Sequence, residues 1–110
     1  MTSPRTERPP LACDASAIAL PDRSAHFELL DRLFAELAVE RGAVSGGYRF
    51  RFDSGAFELV TDFVENERKC CPFLTFVVEV ASSGGSIWLQ VTGPEGTPDF
   101  LDAELPRIRG

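Results

Sequence analysis

Cys70 and Cys71 stand side by side in the stretch Glu67-Arg68-Lys69-Cys70-Cys71-Pro72-Phe73, and the chain has only three cysteines in all. Thiolates are soft metal donors and strong nucleophiles, so a vicinal pair points to metal binding or thiol chemistry. The segment before them, residues 55–69, places Phe57, Val60, Phe63 and Val64 on one face at about 100° per residue, which is the period of an amphipathic helix. Continued to Cys71, that helix carries both cysteines on the apolar face, Cys70 a heptad after Phe63 and Cys71 a heptad after Val64. Glu67 falls on it too, three and four positions ahead of the cysteines, the spacings at which helical side chains meet.

A carboxylate on an apolar face is costly unless it is protonated, hydrogen-bonded or bound to a metal. Pro72 pushes the residue before it out of the α region. Cys70 is therefore expected inside the helix and Cys71 outside it, a break that lets the two sulfurs turn toward one ion. The plain alternative is that both cysteines pack as small hydrophobes while Glu67 leans to the edge of the face and pairs with an arginine. A vicinal disulfide would strain the peptide between neighbours.

Two further residues are candidates for the same site. Cys13 is either a core anchor for the N-terminal segment or a third thiol. His26, the only histidine, lies on the apolar face of a helix expected over 22–41, together with Leu29, Leu30, Leu33, Phe34 and Leu37. It is either a satisfied core residue or a fourth ligand, because neutral imidazole and thiolates are the usual zinc donors. Asp22 or Ser24 would cap that helix, and Gly42 would follow its end.

The remaining elements must position these groups. Residues 43–47 read as a turn, and 48–53 alternate as a half-buried strand, with Tyr48, Phe50 and Phe52 inward and Arg49 and Arg51 outward. Those arginines suit a solvated strand face, or else an anion patch. The apolar run 73–80 and the alternating 86–92, joined by Ala81-Ser82-Ser83-Gly84-Gly85, form a hairpin whose first strand is expected at the centre of the sheet. Thr97 and Pro98 start a short helix through Leu105. The order is helix, strand, helix, strand, strand, helix. That is an α+β fold with a three-stranded antiparallel or mixed sheet, helices on one face, and a partly ferredoxin-like middle. Residues 1–10, with three prolines among polar residues, suggest a disordered leader before a single domain over 11–110.

Composition narrows the function classes. The 110 residues are 44% hydrophobic and 25% charged, enough for one core. A net charge of −6 argues against a nucleic-acid partner, which calls for a concentrated basic surface. No apolar run approaches membrane-spanning length and the N-terminus has no apolar signal region, so a cytoplasmic protein with no membrane partner is expected. Three cysteines in a reducing compartment do not make a disulfide framework. No organic cofactor is indicated.

At Leu11-Ala12-Cys13-Asp14, Glu67-x-x-Cys70-Cys71-Pro72-Phe73 and Trp88-Leu89-x-Val91-Thr92-Gly93-Pro94-Glu95-Gly96, the chain resembles a family of small bacterial proteins associated with mercury-responsive and other metal-resistance regulators. The resemblance implies an association with thiophilic metals and brings no established reaction. It favours a functional role for Cys13. The Cys-x-x-Cys motif of mercury carriers and thioredoxins is missing from the sequence.

Three functions follow as expectations. The first is binding of a soft metal ion of the mercury, copper(I) or zinc class by Cys70, Cys71 and Cys13, with His26 or Glu67 completing the site. The second is a thiol-dependent enzyme such as an organomercurial protonolysis catalyst, with Glu67 as the proton donor. The third is a structural or interaction module with packed cysteines.

Overall fold

A proline is tolerated in the first turn of a helix, where its missing N–H has no partner to lose, and α1 (Leu20–Asp31) opens this way with Pro21. The computed structural model describes residues 20–108, with side chains from residue 23 onward. Helix α1 runs directly into a six-residue π-helical segment, Arg32–Leu37. The wider turn lets three successive residues, Leu33, Phe34 and Ala35, all face the core.

The helix does not reach Arg41. At Ala38 the backbone becomes extended and β1 (Ala38–Val44) begins, where the sequence predicted more helix and then a turn. Ala38 to Arg41 are mostly residues that helices accept, and no local periodicity marks a strand there. What holds β1 extended is its antiparallel ladder with β2 (Gly47–Phe52), a long-range pairing that neither segment shows alone. The hairpin turns at Gly46, whose φ of +82° suits glycine. Gly47 follows, and a Cβ there would overlap the Val91 carbonyl oxygen of the neighbouring strand.

A short 3-10 turn, Ser54–Ala56, leads into α2 (Phe57–Cys70), and then come β3 (Thr75–Val80), β4 (Ile87–Thr92) and α3 (Thr97–Glu104). The sheet has four strands in the order β1-β2-β4-β3, all antiparallel to their neighbours, where three strands were expected. The fold is α+β. Helix α2 crosses from β2 to β3 with β4 filling the gap between them, the split β-α-β arrangement. The fourth strand joins by a hairpin instead of a second crossover, so the ferredoxin-like likeness extends only to that middle part.

The apolar run of β3 predicts a central strand, but β3 lies at an edge, with Val77 and Val80 exposed. The crossover carries the chain past the middle position, and β4 returns to fill it. Central strand β4 shows the cleaner alternation: Ile87, Leu89 and Val91 are buried while Trp88, Gln90 and Thr92 are not.

One face of the sheet carries the helices. Phe34 of the π segment packs edge-on against Phe50, Phe52 and Phe63, at centroid distances of 4.8, 6.0 and 4.9 Å. Phe63 of α2 reaches Phe76 on β3 at 6.0 Å. Helix α3 is tied on by Leu101 in the core and by Asp102, which accepts hydrogen bonds from Arg41 and Tyr48. On the opposite face Arg49 stacks over Trp88 at 3.7 Å and pairs with Glu79, while Arg51 pairs with Glu40. These arginines are committed to local partners.

Candidate metal centre

Helix α2 delivers its last turn into the core. Val60, Phe63, Glu67 and Cys70 are buried along one stripe, as the heptad spacing predicted, whereas Phe57 lies one turn too early and stays 42% exposed. Cys70 ends the helix, and Cys71 leaves it at φ −127°, ψ 70°, the break that Pro72 requires. The Cys71 amide still donates to the Glu67 carbonyl, so the helix closes tightly over the site.

Glu67 is 3% exposed, and its carboxylate meets His26 and Cys70. Across from it on α1, His26 is 2% exposed and sets Nε2 at 2.9 Å from Glu67 Oε1. From its own helix, the Cys70 thiol donates to the same oxygen at 3.5 Å. Because Oε1 accepts the thiol proton, the simplest assignment makes His26 Nε2–H the second donor to it. Nδ1 of that ring is buried without a hydrogen-bond partner. The Phe63 ring lies nearly parallel to the imidazole, with centroids 6.0 Å apart.

Burial pushes the Cys70 thiol up from an ordinary 9.0 to about 12, and the negative charge of Glu67 beside it adds to the effect. The thiol is protonated at neutral pH and is poorly nucleophilic. A cation bound at the sulfur would reverse this preference. The C-terminal end of α2 favours positive charge for a separate reason, since the helix dipole is negative there.

His26, Glu67 and Cys70 offer one nitrogen, one oxygen and one sulfur, and these ligand atoms all lie within 4.8 Å of one another. They form the one such group among the described residues. Cys71 Sγ is 3.7 Å from Cys70 Sγ, well beyond a bond of about 2.05 Å, so the two are not joined as a vicinal disulfide. Cys70 is a free thiol, whereas Cys71 is disulfide-bonded. The expectation of fully reduced cysteines thus fails at Cys71, because the number of cysteines carries no information about which sulfurs the fold brings together. Cys13 and the leader at residues 1–10 lie outside the described residues.

The sequence offered His26 and Glu67 as alternative ligands at one site, and the structure brings both together beside Cys70. It also shows a groove of about 440 Å³ between α1 and α2, lined by Ala25, His26, Leu29, Leu59, Asp62, Glu65, Asn66 and Lys69. The α2 residues of this groove recur at three- and four-residue steps beside the apolar stripe, a signal legible in the sequence once α1 is known to lie alongside. No helix among the described residues is long and apolar enough to cross a membrane. No family profile, curated protein or solved structure matches the chain.

Proposed function

We propose that the protein binds a thiophilic metal ion through Cys70, His26 and Glu67. The observation that carries this reading is the convergence of three buried ligand atoms of different type within 4.8 Å, drawn from two helices. A buried carboxylate, imidazole and thiol are an expensive combination to keep dry for packing alone. A mixed nitrogen, oxygen and sulfur set suits zinc and similar borderline ions. Mercury or copper(I) would draw instead on two thiolates, and Cys71 can supply the second only after its disulfide is reduced. The likeness of the Glu67-x-x-Cys70-Cys71-Pro72-Phe73 motif to metal-resistance proteins supports the same class of ligand.

The test is titration of the protein, with and without prior reduction, with zinc, cobalt(II), mercury and copper(I). Cobalt(II) bound at Cys70 gives a thiolate-to-metal absorption band. Cys70→Ser should abolish that band, and His26→Ala should weaken binding by at least tenfold. Equal affinity for every ion in the parent and in both variants would remove the site. A melt that no ion shifts leaves the packed-cysteine reading in its place.

A second reading has one specific observation in its favour, the carboxylate placed 3.5 Å from a candidate metal-binding sulfur. In organomercurial protonolysis the carbon–mercury bond breaks, a proton relayed through Glu67 goes to carbon, and mercury stays on the thiolates of reduced Cys70 and Cys71. Release of hydrocarbon from an alkylmercury substrate separates this enzyme from a binder, which releases none.

A further inference from the structure

The three ligand residues are each at least 97% buried, so an ion needs a way in. His26 is the one residue shared by the ligand group and the groove between α1 and α2. It therefore borders both. Nε2 faces Glu67, while Nδ1 is buried with no partner, so no hydrogen bond from that nitrogen fixes the ring against rotation. The groove beyond is acidic on its α2 side: among the described residues Asp62 and Glu65 are exposed, neither carboxylate enters a salt bridge, and Lys69 is the one lysine or arginine that lines it.

We infer that this groove is the route by which the metal cation reaches the site, with Asp62 and Glu65 collecting the ion and the His26 ring as the movable wall. The inference rests on the proposed metal-binding function and adds the path to it. Carboxylates lining a concave surface concentrate cations and speed their association. They also provide intermediate oxygen ligands for an ion shedding its water. Leu29 and Leu59 give the groove apolar sides, which keep the local dielectric low and strengthen that attraction. Because Ala25 is small and exposed at the rim, a larger side chain there would obstruct the groove with little disturbance of the core.

The experiment is stopped-flow loading of the full chain with zinc, followed by removal with excess chelator. Two variants are compared with the parent: Ala25→Trp, which obstructs the groove, and the surface pair Asp62→Asn with Glu65→Gln. We expect the pair to load about three- to tenfold more slowly at low ionic strength, with the difference shrinking at high salt. Ala25→Trp should slow loading and loss together by about tenfold or more, leaving the equilibrium affinity within about twofold of the parent, as obstruction of a path requires. Loading at the parent's rate in the charge-neutral pair, with affinity unchanged, overturns the route while leaving the site in place. A parent that holds no zinc overturns the route, and one that also holds no cobalt(II), mercury or copper(I) overturns the site itself. The surface pair touches no core residue and so keeps the test open should Ala25→Trp fold poorly.

Discussion

The raised Cys70 thiol makes a prediction about stability that needs no metal. In the unfolded chain the thiol ionises near 9.0, whereas in the folded protein it holds its proton to about 12. Between those values the folded state binds one more proton than the unfolded state, so stability falls as pH rises. The contribution is fully present below pH 9 and is lost progressively toward pH 12. From the two pKa values, the loss is about 2 kcal/mol by pH 10.5 and about 4 kcal/mol once both states are deprotonated. With a urea slope of roughly 1–2 kcal/mol/M, the denaturation midpoint should drop by about 1–2 M between pH 8 and pH 10.5.

Tyrosine and lysine also titrate in this range, so the quantity to measure is the difference between the parent and Cys70→Ala, each followed from pH 8 to 10.5 in oxygen-free buffer. Cys70→Ala will have its own baseline stability, and only the pH-dependent part is compared. The variant should lack about 2 kcal/mol of the alkaline loss. Glu67→Gln should recover a smaller part of it, because burial is the larger cause of the raised thiol and the carboxylate the second. Parallel pH profiles for parent and Cys70→Ala would refute the reasoning, since they would mean that the thiol meets solvent in the folded state.

Two other outcomes follow from the same geometry. Zinc binding between pH 7 and 8.5 should displace the Cys70 proton, so affinity should strengthen about tenfold per pH unit and calorimetry in buffers of different ionisation enthalpy should count one proton released. Phe34→Ala removes a ring that touches Phe50, Phe52 and Phe63 together, and should cost about 3–5 kcal/mol in chemical denaturation.

Local rules in the sequence sufficed for α2 and its cargo. The stripe Val60, Phe63, Glu67, Cys70 is a matter of helical period, and the exit at Cys71 is a matter of the proline after it. Both depend only on residues within a few positions of one another. The alternation of 48–52 and 87–91 was equally legible, since each strand buries one face against helices. The α+β class followed from those elements.

Other features were decided by partners distant in sequence. Ala38 to Val44 is a strand because β2 offers it a ladder, although Ala38 to Arg41 taken alone accept helix as well. The edge position of β3 comes from the path of the crossover, which hydrophobicity does not encode. Most of all, the 41-residue separation between His26 and Glu67 hides their hydrogen bond. Each residue alone is an unremarkable candidate on an apolar helical face. Only the packing of α1 against α2 places an imidazole, a carboxylate and a thiol in one dry volume, where burial turns three common side chains into groups that a cation can bring together.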